Sequence, residues 1–195
     1  LKSMVKDEKD SLSGMYKIGI IPTLSPYLIP RFIHDFLKQH KNLELRVNEM
    51  QSEQIIDGLN KNSIDIGILA TPLNEPQLRE IPVFNEPFFG YFPSDHPMLK
   101  KKQLGKSDIQ QKDLILLSQG HCFRKQMLSI CESQKNKTSR SLVYESGSLE
   151  AVKNLVEAGM GISLIPELAL HSPADKTHMV PFSKPVPVRE ISVVV

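Results

Sequence analysis

Apolar positions along this chain alternate between short extended runs and stretches at helical spacing. Tyr16-Lys17-Ile18-Gly19-Ile20-Ile21 is an apolar run broken by Pro22, and Phe32, Ile33, Phe36 and Leu37 then share one helical face. The pattern predicts a strand, a loop and a helix. It repeats with Leu43-Glu44-Leu45-Arg46-Val47 as a strand, Ile55, Ile56 and Leu59 at helical spacing, and Asp65-Ile66-Gly67-Ile68-Leu69 extended again. Two such strand–helix–strand units require a mostly parallel sheet covered by helices.

Two more extended runs, Ile81-Pro82-Val83-Phe84 and Phe88-Phe89-Gly90-Tyr91-Phe92, are joined by Asn85-Glu86-Pro87, and this junction reads as the crossing into a second lobe. There, Leu114-Ile115-Leu116-Leu117 and Ser141-Leu142-Val143-Tyr144 are predicted strands. Ser148 is a predicted helix cap, with Leu149, Val152 and Val156 on one face and Gly159 just past the end. The strand Ile162-Ser163-Leu164-Ile165 follows, and the tail from Pro185 to Val195 runs extended, returning to the first lobe as a second hinge crossing. The expected fold is α/β, with two Rossmann-like lobes and a hinge. Residues 1–14 end a linker, 15–86 form the first lobe, completed by 188–195, and 87–187 form the second. Strand-to-helix loops in such a fold offer backbone N–H groups to a ligand, and Thr23, Ser25, Thr71 and Ser146 are assigned to them. Ser and Thr at these positions also serve simply as caps and turn residues.

Composition narrows the function classes. The 195 residues are 40% hydrophobic and 24% charged, with 10 Gly and 14 Pro, which excludes collagenous, disordered and coiled-coil chains. A net charge of +2 is too mild to mark this piece as a nucleic-acid binder. Two cysteines cannot form the framework of a secreted miniprotein, which points to a reducing compartment and, by default, the cytoplasm. No run approaches the roughly 18 apolar residues of a membrane span, and Leu1-Lys2-Ser3-Met4 carries no cleavable signal pattern. The uninitiated start and the charged first 14 residues are those expected of a chain continued from a longer polypeptide.

Four stretches, Tyr16 to Pro30, Gln54 to Ala70, Ser94-Asp95-His96-Pro97 and Val156 to Pro166, resemble the effector-binding domain of LysR-type transcriptional regulators. The likeness covers nearly everything from residue 15 onward. It implies a type 2 periplasmic-binding-protein architecture, a winged helix-turn-helix that binds DNA ahead of this piece, and assembly into homodimers or homotetramers. Gly120-His121-Cys122-Phe123-Arg124-Lys125-Gln126, with Cys131 nine positions after Cys122, resembles the redox centre of the peroxide-sensing members of that family. There the first cysteine reacts with hydrogen peroxide and the second resolves it as a disulfide.

That chemistry needs a thiolate of lowered pKa, and His121, Arg124, Lys125 and a helix start near Phe123 all favour one at Cys122. By the same resemblance Thr23, Thr71 and Gly120 line the peroxide site. Lys125 departs from the family, where many relatives carry an acidic residue. His96 is a loop residue without a chemical role. Were residues 122–131 one continuous helix, nine rises of about 1.5 Å would hold the two cysteines roughly 13.5 Å apart. A disulfide spans at most about 7 Å between Cα atoms. Closing the bond would then require the segment to refold, displacing Phe123, Met127, Leu128 and Ile130.

The resemblance implies a sensor and not an enzyme, with no cofactor and no metal. Its partners would be hydrogen peroxide, DNA, RNA polymerase and a reductant of glutaredoxin or thioredoxin type, with no membrane. Alternatives remain open at this level. Beside the matched motif, inert buried thiols are the lesser reading of Cys122 and Cys131, and with His121 they make an incomplete zinc set, a weaker rival still. A metabolite-responsive domain would use Thr23, Ser25, Thr71 and Ser146 for a small acid, a thiol peroxidase would turn over, and a solute receptor would need an export signal.

Overall fold

The computed structural model describes residues 12–109, 114–117, 126–128, 130 and 148–195. Among these, three parallel strands form first: β1 (Gly14–Ile20), β2 (Leu43–Glu49) and β3 (Ile66–Thr71). β1 lies between the other two, with Ile18 opposite both Val47 and Ile66. Each connection is a helix, α1 (Ser25–Gln39) after β1 and α2 (Ser52–Asn60) after β2, as the switch in apolar period requires. α2 packs closely on the sheet through Ile55 and Leu59. A Cβ at Gly67 would stand 2.7 Å from Ile55 Cγ2, and one at Gly19 would stand 3.1 Å from Ile55 Cγ1. Those two glycines set how near the helix comes.

The later strands are β4 (Glu80–Tyr91), β5 (Ser163–Pro166), β6 (Met179–Pro181) and β7 (Val188–Val194), with α3 (Leu149–Glu157) and the short α4 (Asp175–His178) between them. β5 and β6 both run antiparallel to the end of β4. The hydrogen-bonded order is β2-β1-β3-β7-β4-β5, with β6 on β4. The described residues divide into two compact units. One takes 12–69, 74–81 and 192–195; the other takes 70–73 and the described residues between 82 and 191. The first has its core in Ile18, Ile20, Leu24, Ile55 and Leu69, and the second in Phe88, Tyr91, Phe92, Leu104, Val156 and Leu164. No helix among the described residues is long and apolar enough to cross a membrane.

Ser148 caps α3 through its Oγ, which accepts the Ala151 N–H at 3.3 Å. Gly159 follows the last turn at φ +80°, where its N–H reaches Val156 O, so the left-handed stop read from the sequence is present. Three expectations change. The runs beginning at 81 and 88 are one strand, ending at Tyr91: pairing with β5 and β6 begins only at Phe88 and Phe89, so the stretch carrying Pro82 and Pro87 leaves one side without those ladders, where a missing N–H costs nothing. Leu114–Leu117 make a single bridge, Leu114 beside Ile162, and no strand, because the next polar partner of Ile115 O is the Ser163 hydroxyl. Thr71 is the last residue of β3, not a loop residue. The predicted strand Ser141–Tyr144 lies outside the described residues.

Candidate functional site

Parallel strands deliver their chain ends to one edge of the sheet, and helix N-termini begin there. In the first unit β1 ends by handing Ile21 N–H to Ile68 O, after which Leu24 and Ser25 both donate to Ile21 O, turning the chain into α1. Thr23 is 1% exposed within this turn. α1 is capped by Leu24 without a side-chain hydrogen bond, so neither Thr23 nor Ser25 plays the capping role open to it from the sequence. Ser25 is the first helical residue rather than part of the loop.

The next helix start holds a residue that sequence reasoning missed. Gln51 N–H donates to Gln54 Oε1 at 2.9 Å, which supplies the cap of α2 from glutamines. Ser52, only 8% exposed, is thereby left out of the capping, and its buried Oγ meets no hydrogen-bond partner among the described residues. A buried hydroxyl without a partner costs about 1–3 kcal/mol, and a polar ligand would relieve that cost. Its signal was available, since Ser52 follows β2 as Thr23 follows β1, but the surrounding Gln51 and Gln54 gave the loop an ordinary polar look.

In the second unit, Thr71 Oγ1 donates to Glu190 Oε1 at 2.7 Å, joining the end of β3 to β7. On the opposite face of β7, Arg189 is enclosed. Its Nε and Nη2 lie 2.8 and 2.7 Å from Glu86 Oε2, with the two side chains 0% and 1% exposed, and Glu86 Oε1 accepts the Leu168 N–H at 2.9 Å. A second buried cation, Lys153 on α3, donates to Ala169 O at 2.9 Å and to Asp175 Oδ1 at 3.0 Å. Burial is the largest influence on Asp175 and alone would raise its carboxyl. The Ser172 N–H, the Lys153 ammonium and the Ser172 side chain outweigh it and hold the carboxyl below its ordinary range. Tyr91 donates to Glu157 Oε1 at 2.6 Å, and burial, followed by these neighbouring carboxylates, pushes its hydroxyl far above the usual tyrosine range. His96 Nδ1 accepts the Met98 N–H at 3.3 Å, and its ring stacks on Phe92, which is a structural role.

Gly120, His121, Cys122, Arg124, Lys125, Cys131 and Ser146 lie outside the described residues. Between the two cysteines, residues 126–128 and 130 are helical, with Met127 fully buried, Ile130 buried and Leu128 half-buried.

The family model for the LysR substrate binding domain matches residues 9–195. The hydrogen peroxide-inducible genes activator of Dickeya chrysanthemi is 33% identical over 196 residues, covering all of this chain and 64% of that protein. Thus the chain spans under two thirds of the length of the curated relatives it matches. Among solved structures, OxyR from Porphyromonas gingivalis is 34% identical, with a TM-score of 0.84 over 94% of this chain and 84% of the other. A hydrogen-peroxide-bound cysteine-to-serine variant of OxyR from Corynebacterium glutamicum is 30% identical, with a TM-score of 0.83 over 99% of this chain and 62% of the other.

Proposed function

The chain belongs to the LysR substrate-binding domain family, and from that premise we propose that it is the regulatory domain of a transcription factor that senses hydrogen peroxide through Cys122 and Cys131. The observation that carries this reading is the pairing of Gly120-His121-Cys122-Phe123-Arg124-Lys125-Gln126 and Cys131 with the helical residues 126–128 and 130 between them, of which Met127 and Ile130 are buried.

The Cys122 thiolate attacks one peroxide oxygen, the O–O bond breaks, and hydroxide leaves and takes up a proton as water. The sulfenic acid so formed condenses with the Cys131 thiol, forming the S–S bond and releasing a second water. Two sulfurs are oxidised and one peroxide is reduced. His121 and Arg124 stabilise the thiolate. By the same reading Thr71 supplies a hydroxyl for a small polar oxidant, while the unpartnered Ser52 Oγ is suited to a polar ligand of the first unit taken by itself. Gly120 belongs to the same motif and contributes to holding the peroxide.

Disulfide closure displaces Met127 and Ile130 from their buried positions. At about 1.5–3 kcal/mol for each fully buried side chain, the two together contribute roughly 3–6 kcal/mol. Moving a two-state equilibrium from 1:99 to 99:1 needs about 5.5 kcal/mol, so these two side chains are of the right size to hold the reduced shape until a covalent bond overrides it. The refolded segment then changes contacts between copies of the domain in a homodimer or homotetramer. In the whole regulator this change would alter DNA binding, through a winged helix-turn-helix, and contact with RNA polymerase. A cytoplasmic reductant of glutaredoxin or thioredoxin type resets the pair, so the domain reports once per reduction and does not turn over as an enzyme.

The test is mass spectrometry of two variants after peroxide. Cys131→Ser should carry one added oxygen on Cys122, trapped with a sulfenic-acid reagent, and Cys122→Ser should leave Cys131 unmodified. An unmodified Cys122 in the Cys131→Ser variant overturns the assignment of roles.

A further inference from the structure

We propose that the open edge of β2 is a docking surface for a second copy of this chain, which adds its own β2 antiparallel about a two-fold axis at Leu45. Among the described residues the sheet ends at β2, which has β1 on one side and no strand on the other. β2 pairs with β1 without a break from Leu43 to Glu49 and contains no proline, so its outer side is a regular template for another strand. The N–H and C=O groups of alternate residues in a strand point the same way. Gly14 N–H donates to Asn42 O and Met50 N–H donates to Ile20 O, so the even-numbered residues from 42 to 50 face β1. Leu43, Leu45 and Val47 therefore turn their backbone groups outward. The Leu43 N–H is taken by His40 O at 3.1 Å, which leaves the Leu43 C=O and both groups of Leu45 and Val47 for a partner strand.

The side chains select the occupant. Glu44 and Arg46 lie on one face of β2 and pair with each other at 2.9 Å, both more than half exposed. An antiparallel copy centred on Leu45 sets Glu44 opposite Arg46 of the other copy, at the non-hydrogen-bonded positions where side chains come closest, and sets Leu43 opposite Val47. The charges of the two copies then form a square in which every neighbour has the opposite sign, and both existing ion pairs are kept. Leu45 exchanges its two backbone bonds with Leu45 of the other copy, and Val47 N–H donates to Leu43 O. Sliding the copy by two residues either way, the smallest shift that preserves the hydrogen-bonding phase, brings Glu44 against Glu44 or Arg46 against Arg46. These repulsions leave one register and one two-fold arrangement, so the charges that would turn away a foreign strand accept a second β2. The contact lies wholly in the first unit and needs neither cysteine.

The experiment uses the full chain carrying Cys122→Ser and Cys131→Ser, so a failure of the sensing reading leaves its result untouched. Into that chain Glu44→Cys and Arg46→Cys are introduced separately, and each product is oxidised with copper–phenanthroline, alone and in an equal mixture. Cross-strand neighbours at non-hydrogen-bonded positions lie about 4.5 Å apart at Cα, within disulfide reach, so the mixture should yield at least about fivefold more cross-linked dimer than either chain alone. Sedimentation equilibrium reads the charges. Arg46→Glu and Glu44→Arg should each weaken self-association about tenfold or more, and mixing the two should restore it to within about threefold of the starting chain, because each then meets the opposite sign across the axis. A starting chain that stays monomeric at ~1 mM, association unchanged in both charge variants, or a mixture as weak as its components overturns the proposal. So does cross-linking no greater in the cysteine mixture than in either chain alone.

Discussion

Removing Arg189 should unfold more stability than any single surface change. Arg189→Met keeps most of the side-chain volume but leaves the Glu86 carboxylate, 1% exposed, with only the Leu168 N–H as a described partner in place of that bond plus two guanidinium contacts at 2.7 and 2.8 Å. Breaking a buried pair from one side costs about 3–5 kcal/mol, because the surviving charge stays desolvated. With a urea m-value of about 2 kcal/mol/M, the midpoint should drop by about 1.5–2.5 M. Converting the survivor as well, in Glu86→Gln with Arg189→Met, retains an acceptor for Leu168 N–H and removes the stranded charge. The double variant should therefore regain more than half of the loss, since a buried pair replaced by neutral groups is often close to neutral in stability. Equilibrium urea unfolding followed by circular dichroism reads both. A loss under about 1 kcal/mol for Arg189→Met, or a double variant as unstable as the sum of the two singles, would refute the view that this pair matters through the cost of an unpaired buried charge.

Other expectations follow from the same contacts. Asp175, held below its ordinary range in the fold, contributes stability that is complete above the unfolded carboxyl pKa of about 3.9 and is lost as pH falls through its lower folded value; Asp175→Asn should flatten that acid limb in pH-dependent unfolding. Tyr91 is shifted upward, so its contribution is complete below the unfolded value of about 10 and erodes as pH rises beyond it; Tyr91→Phe should flatten the alkaline limb. Ser52→Ala should leave thermal stability equal or higher, because the lost hydroxyl has no described partner in the folded chain; a drop of several degrees in Tm would contradict the reading of that hydroxyl as unpartnered. Gly90→Ala should cost about 1–3 kcal/mol in unfolding experiments, since a Cβ there would stand 2.4 Å from Leu104 Cδ1 and 2.7 Å from Phe92 Cε2.

Much of the frame is legible in the sequence because it rests on periodicity. The runs at Tyr16–Ile21, Leu43–Val47 and Asp65–Leu69 could be sheltered only as parallel strands, and Ser148 with Gly159 marked both ends of α3 in advance. β4 was hidden because Pro82 and Pro87 look like breaks until the lopsided pairing of that strand is known. The polar interior was illegible for a different reason. Glu86 with Arg189, Lys153 with Asp175, and Thr71 with Glu190 are partners 103, 22 and 119 positions apart, and no local pattern predicts that two distant charges meet in a core. Ser52 sits between these cases: its place after a strand was readable, but its lack of a partner emerges only once Gln51 and Gln54 have taken the cap.

The central claim is that one peroxide oxidises Cys122 and Cys131 of one chain to a single disulfide. Treating the reduced chain with a single equivalent of hydrogen peroxide, then counting free thiols and weighing the intact protein, tests this most directly. The account predicts that both thiols disappear together, with a mass lower by two hydrogens and no covalent dimer. Two thiols still free, or oxygen added to both sulfurs with no bond between them, would contradict it.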